Sequence, residues 1–548
     1  MLRCALAAAG AAAMAGRVDA QVVSGAGDDA IPVSKGTVRI RVTGQWNDWD
    51  AVFADSAGKS RKRPVLSLVG RTDLGTSTLA RLQPAETAIR TLTGQSAFRL
   101  SLGTLEARGD VRQSTAPIAI DVGVTRRVAI GIVIPYVESR DNTLLILNRS
   151  GSGATVGVNP AFGPTGAAAR AANASLLRQI TLARTQLTAE LARCTVATAV
   201  GCDAIRADLP GAQQLLVAAQ STLGAIAVIY GDSVRGGSPV VPFATTPLGL
   251  SIEGAIAALR STFERFGVTS IATTSKPVGA TTAYGPGSLA GIANDSALGL
   301  GYKRLGNTRR AGIGDIDLTA SLLLFDSFGA NQRRRLIERG RAVRSLLAVG
   351  WRFGSAAADD PLDAFDVPIG DGANALLVRS TTDLVLSRRL WMSATLRLVK
   401  PFADNIVAVL PVRTDSTFLA PFSLGSARRA LGQQMDLEIA PRVAFGDFFG
   451  LSAAYLLRRI GASTLDALSD PGNAAGSLFR TTALPTTFQA ASLGVSFSTL
   501  SSYVRGRSRL PLEVLYTHTA PIAASGGIVP AVSTDRLELR IYTGFPRR

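Results

Sequence analysis

His518 is the one histidine among 548 residues, and that bounds the chemistry open to this chain. Imidazole is the usual proton acceptor near neutral pH, and Ser or Cys hydrolases need such a base beside the nucleophile. His518 is in phase with Leu510, Leu512, Val514 and Tyr516, so it belongs to the apolar face of its strand and suits an interface better than a catalytic centre. No catalytic residue is assigned. Gly151-Ser152-Gly153-Ala154-Thr155-Val156-Gly157 lacks the lysine of a phosphate-binding loop and any preceding strand, so it reads as surface loop. Asp315 and Asp317, two apart on a strand, are too few for a calcium site, and no metal or cofactor is expected. Cys194 and Cys202 form a close pair, which in an exported chain reads as a disulfide across a short loop.

The larger store of functional groups is charge at alternate positions. By strand phase, Arg99, Asp121, Asp315, Asp317, Arg352, Arg379, Asp383, Arg397, Asp436, Glu438, Arg458, Glu513, Glu538 and Arg540 share one face and their apolar neighbours the other. If the apolar face is outside, these residues line a lumen. There they either pair with one another across it or form a selective polar path. The formal net charge of +18 brings nucleic acid to mind, but there is no zinc-finger spacing, no basic motif with interleaved aromatics and no recognition helix. Lipid headgroups are the better partner for the dispersed arginines.

The elements that must position these charges are strands. In the last one Leu537, Leu539, Ile541, Thr543 and Phe545 fall on one face, and Asp535, Glu538, Arg540 and Tyr542 on or near the other. Hairpins alternate in the same way around Thr125-Arg126-Arg127, Ser387-Arg388-Arg389 and Gly446-Asp447. Further strands are expected at 38–46, 63–70, 98–111, 314–325, 343–353, 488–498, 510–517 and 537–545, which gives about fourteen, or twelve if weak members fail. With both chain ends on one side, the short turns fall on that side, and the long connections at 141–310, 355–372, 402–427 and 461–484 fall on the other. A helix near 84–93 and the segment 327–342 count among the short-turn side. The long connection 141–310 carries helices at 166–193, 212–223 and a third begun by Thr246-Pro247 and ended by Gly267.

Residues 1–20 have the form of an export signal, with Arg3, a small apolar run and Val18-Asp19-Ala20 before Gln21. Hydrophobic residues make up 47% of the chain, spread at every second position. The expected architecture is therefore all-β: a transmembrane antiparallel barrel over 21–548, with the helical insertion 141–310 on the outer face of a Gram-negative-type outer membrane.

Short segments resemble the outer-membrane superfamily of long-chain fatty-acid transporters and the barrels encoded with phenol-degradation pathways. They are Val122-Gly123-Val124-Thr125-Arg126-Arg127-Val128-Ala129-Ile130-Gly131-Ile132-Val133-Ile134-Pro135, Gly312-Ile313-Gly314-Asp315-Ile316-Asp317-Leu318, Gly350-Trp351-Arg352-Phe353 and Gly370-Asp371-Gly372. The resemblance implies a fourteen-stranded barrel that admits small hydrophobic molecules, whereas the short N-terminus and the helical insertion depart from that pattern. A passive channel for small hydrophobic solutes is the leading expectation. The other is a non-transporting surface barrel whose insertion binds a partner; oligomeric state stays open.

Overall fold

The structure, a computed structural model, describes residues 30–56, 59–65, 73–149, 153–196, 198–232, 236–294, 303, 305–328, 341–363, 365–387, 389–411, 422–468 and 480–544. The export signal at 1–20, most of the strand expected at 63–70, and Arg547 and Arg548 lie outside them.

Twelve strands form the wall. They are β1 Val38–Trp49, β2 Leu105–Gly123, β3 Val128–Leu147, β4 Ile316–Asp326, β5 Ala342–Phe353 and β6 Ala375–Val385. The second half comprises β7 Leu390–Pro401, β8 Gln434–Phe445, β9 Phe449–Ile460, β10 Thr486–Ser498, β11 Leu512–Ser525 and β12 Ser533–Thr543. Each pairs antiparallel with its neighbours in chain order, and β1 pairs with both β2 and β12, so the sheet closes on itself. Closure leaves no row of backbone N–H and C=O groups facing lipid.

The count is twelve rather than fourteen for two reasons. Residues 98–111 and the first arm of the 118–136 hairpin are not two strands, because β2 runs unbroken through Leu105–Gly123. The other candidate is replaced by a short strand, Lys59–Pro64, which pairs with Ala51–Ser56 and not with the wall. At 19 and 20 residues, β2 and β3 are about twice the length that crosses a bilayer. Their outward face changes character along its length. Ile118, Ile120, Ile130, Ile134 and Tyr136 are exposed and apolar, whereas farther out Arg112, Asp110, Glu138 and Arg140 replace them, with Arg140 bonding Glu138 at 2.6 Å. That switch marks where the wall leaves lipid for water.

The short turns share one end. Thr125 Oγ1 accepts from the Val128 amide at 2.9 Å, and Ser387 Oγ accepts from the Leu390 amide at 3.0 Å, so each hydroxyl folds its own hairpin. Gly446 supplies the positive φ of +69° at the third turn. Aromatic side chains gather at both ends of the outward band. Trp351 stacks on Phe402 at 5.2 Å near one end, and Phe497 contacts Phe448 and Phe449 near the other.

The four long connections named from the sequence lie at the opposite end. The helix expected on the short-turn side, α1 Gln83–Thr93, is there too, because β1 and β2 are consecutive and the helix lies in the link between them. The insertion follows β3, which continues to Leu147, and includes α2 Ala167–Arg193, α3 Leu209–Tyr230 and α4 Pro247–Arg265. Thr246 caps α4 by accepting from the Gly249 amide, Pro247 opens the helix, and Gly267 follows its end at φ +80°. Cys194 and Cys202 are bonded and link α2 to a short helix, Asp203–Ala207, just before α3. α3 is long and apolar enough to span a bilayer by composition, yet Ile226, Ile229 and Tyr230 are buried in one core with Leu176, Ile180, Leu187, Ile256 and Phe263. α1 and the rims of β2 and β3, at Leu105 and Leu147, share that core.

Asn148 fixes the insertion to the rim. It takes a left-handed φ of 57°, donates to the Leu102 and Tyr284 carbonyls at 2.8 and 3.0 Å, and accepts from the Thr104 amide at 3.0 Å. Only glycine fits at 103, since a Cβ there would lie 1.9 Å from Asn148 Oδ1. Asn148→Ala strands these partners and should cost about 1–3 kcal/mol. Limited proteolysis should then cut the insertion faster while the barrel stays intact; unchanged cleavage would refute this anchoring role.

Candidate functional site

The inward face of the wall is a girdle of buried ion pairs. Arg352 on β5 holds Asp317 on β4 through two hydrogen bonds of 2.8 and 3.1 Å, and lies 3.8 Å from Asp371. Arg458 on β9 holds Asp436 on β8 at 2.9 Å twice, and Arg397 on β7 reaches Glu438 on β8 at 3.0 Å. Asp383 on β6 takes Arg344 on β5 at 2.9 Å and the Ser393 hydroxyl at 2.7 Å. Arg39 and Arg41 on β1 share Asp121 on β2, at 3.0 and 3.1 Å. Glu538 is held by Arg536 and Arg540 and by Thr43 at 3.3 Å, while Glu513 accepts from Tyr542 at 2.6 Å. Arg379 borders a small cavity beside Arg39 and Arg41.

The pairs link neighbouring strands, not opposite walls. They hold charge in place without bridging the lumen, and Gly131 has room for the Asp121 carboxylate only because it lacks a Cβ, which would stand 2.4 Å from Oδ1. Among the described residues, 30–34 enter the lumen. The Ala30 amide donates to Asp383 at 3.0 Å, Val33 is buried, and the backbone of Ser34 lies against Gly123.

Asp315 is buried but sits in no strand. Thr308–Ile313 continues the line of β4 along β3, the Gly314 amide still donates to the Pro135 carbonyl at 2.9 Å, and the register then slips by one residue before Val133–Asp317, so the ladder lapses only at Asp315 and Ile316. Pro135, which has no N–H to give, stands at that lapse. The Asp315 carboxylate turns instead to the connection between β5 and β6 and accepts from the amides of Ala356 (3.0 Å), Asp371 (2.7 Å) and Gly372 (3.2 Å). Ile369 and Ala356 pack on Val137 and cover the gap. Farther out, Arg310 binds Asp366, whose carboxyl burial pushes above its ordinary range against the pull of the Asp360 amide and Arg310. Pro135, Gly314 to Asp317, Arg352 and Asp371 to Gly372, far apart in sequence, thus meet at this one place in the wall.

Arg99 was expected on the same inward face. Its side chain is 68% exposed, because residues 98–104 are irregular and β2 begins only at Leu105. Asp535 also faces outward, where Tyr516 donates to it at 2.7 Å and His518 Nδ1 lies at 2.9 Å. His518 is half exposed on that outer surface. Arg39, Arg41, Arg344 and Arg536 belong to the girdle although they were not among the charges expected there. Their signal was available, since Arg39 and Arg41 alternate with Val38, Ile40 and Val42, and Arg536 keeps phase with Glu538 and Arg540. Among the described residues, no three His, Cys, Asp or Glu side chains gather as a metal site.

A closed all-strand wall, apolar outside with aromatic ends and lined inside by ion pairs, defines a transmembrane β-barrel of the outer-membrane class. No protein-family model matches this sequence, and no curated protein does. Among solved structures the fold is similar to an outer membrane channel from Pseudomonas putida F1, at 8% identity over 95% of this chain and 100% of that one, with a TM-score of 0.41. It is also similar to the Pseudomonas putida toluene transporter TodX (8% identity, 94% and 95% covered, TM-score 0.22) and to the CymD monoaromatic hydrocarbon channel (8%, 94% and 90%, 0.24). At such identities and scores the likeness transfers no function.

Asp315→Ala removes the acceptor for three loop amides, one of them buried, and should cost about 2–3 kcal/mol. The folded barrel should lose its compact gel mobility at a lower temperature than wild type, with Asp315→Asn intermediate. Equal melting of all three would show that the carboxylate does not secure the break.

Proposed function

We propose that the protein is a passive uptake channel of the outer membrane for small hydrophobic solutes. The observation that carries this is the interruption of β4 at Gly314–Asp315, a one-residue register shift against β3 that a packed loop covers, with the Gly314 amide still bonded to the Pro135 carbonyl at 2.9 Å. The polar girdle gives a hydrophobic solute no apolar lining to follow through the lumen, and residues 30–34 obstruct its short-turn end. A solute entering under the helical insertion reaches lipid at least cost through the place where strand β4 is interrupted and the fewest ladder bonds must open. Displacing Ile369 and Ala356 from Val137 opens that place without breaking the rest of the ladder. The choice of hydrophobic solutes draws on the sequence resemblance.

A second reading has its own observation. Leu182, Val196, Val200, Val217 and Leu250 are exposed on the helical insertion, which suits a surface barrel whose insertion docks a partner. Uptake separates the two. The double variant Val137→Cys, Ile369→Cys, oxidised, should slow entry of toluene into proteoliposomes about tenfold or more, with recovery on reduction. Arabinose entry should not change. No toluene entry above empty liposomes for the wild type would favour the surface barrel, and an oxidised pair without effect would remove the lapse as the route.

A further inference from the structure

Positive charge gathers at the short-turn end of the wall. Lys35, Arg126, Arg127, Arg341, Arg389 and Arg507 are exposed on the links that lead into β1, β3, β5, β7 and β11, spaced around the ring. Arg505 and Arg509 bring the number on these links, among the described residues, to eight. The described residues of the links, with the strand residue next to each, hold two carboxylates. Asp447 is held by Arg505 at 2.5 Å, and Asp326 at the end of β4 accepts from the Phe328 amide at 2.8 Å. Pairing within the set does not alter its sum, which stays strongly positive. The sequence at 329–340 and 388, which joins the same strands, adds five arginines and one glutamate and so does not offset it. The other end is composed differently: the connection 355–372 has five aspartates and neither lysine nor arginine.

The level of these charges matches a headgroup layer. Exposed apolar side chains of the outward band come up to them on the same turns: Val124 beside Arg126, Val343 after Arg341, Leu386 and Leu390 around Arg389, and Leu510 beside Arg509. A long basic side chain rooted at the edge of hydrocarbon reaches out to the plane where phosphates lie, and a guanidinium matches a phosphate in shape and charge. A protein partner would engage one sector of the ring, whereas here the charge recurs on five links around it. We propose that this end of the barrel binds anionic phospholipid headgroups, such as phosphatidylglycerol, in preference to zwitterionic ones, in the leaflet opposite the helical insertion. Juxtamembrane basic clusters attract anionic headgroups in this way, and salt weakens the attraction. Neither the charge nor its level depends on the channel reading.

The test reconstitutes the full-length protein in phosphatidylcholine liposomes with a trace of spin-labelled phosphatidylglycerol or spin-labelled phosphatidylcholine. Electron paramagnetic resonance then reads the motionally restricted fraction of each lipid at the barrel surface. Phosphatidylglycerol should associate at least about threefold more strongly than phosphatidylcholine, and the preference should shrink towards one in about 0.5 M sodium chloride. A variant with Arg126→Gln, Arg127→Gln, Arg389→Gln and Arg507→Gln should lose most of the preference. The same four positions changed to lysine should keep most of it, because the attraction needs charge more than the guanidinium fork. All four are exposed turn residues, and retained heat-dependent gel mobility shows that each variant is folded. Equal association of the two lipids with the wild type, an unchanged preference in the glutamine variant, or a lysine variant as weak as the glutamine one overturns the proposal. The first of these outcomes would leave an acidic protein as the partner of this end. Solute uptake by the same liposomes is a separate readout, so failure of the channel reading and failure of this one are distinguishable.

Discussion

A backbone amide inside a bilayer has no water to bond, and the rest of this structure follows from meeting that constraint. The pairing of β1 with β12 meets it at the one place where the chain ends would otherwise leave an open edge, in a continuous register from Val38–Thr543 to Asp48–Ser533. Closure then dictates the alternation. Val42, Ile120, Leu318, Leu539 and Ile541 face outward and remain exposed because lipid is their solvent. Their neighbours Asp121, Asp317, Glu538 and Arg540 must turn inward, where water is scarce.

Burying so many charges is tolerable because the girdle carboxylates Asp121, Asp317, Asp383, Asp436, Glu438 and Glu538 each have a guanidinium on their own or a neighbouring strand. Such pairs add little net stability compared with apolar residues, but losing one partner leaves a buried charge uncompensated, at about 3–5 kcal/mol. The girdle therefore fixes register and shape more than it stabilises. Where the ladder fails beside Pro135, Asp315 substitutes for the missing strand contacts by accepting amides from a loop. The wall is continuous there in hydrogen bonds but not in strand, which is what allows a local opening without general unfolding.

Much of this was legible in the sequence. The three hairpins were, because a Ser or Thr hydroxyl or a glycine turn separates two runs of period 2. The third helix of the insertion was, because Thr246, Pro247 and Gly267 are capping residues with distinct physical roles. β2 was misread as two strands because its outward face passes from Ile118 to Arg112 as it leaves the membrane, and a hydropathy pattern treats that change of solvent as a change of element. Counting 63–70 as a wall strand put α1 on the wrong end. The break in the wall was not legible at all. Pro135, Asp315, Arg352 and Asp371 each look ordinary in their own segment, and only the pairing of β3, β4 and β5 brings them together.

The central claim, that one closed wall separates lipid from a charged interior, is tested most directly by a nitroxide scan of β12. Spin labels placed one at a time at positions 535–541 in protein reconstituted into bilayers report collision with oxygen, which dissolves in lipid, and with a water-soluble nickel chelate. The account predicts strict alternation: high oxygen and low nickel accessibility at 537, 539 and 541, and the reverse or mutual protection at 536, 538 and 540. Uniform accessibility along the strand, or nickel reaching the odd positions, would contradict it.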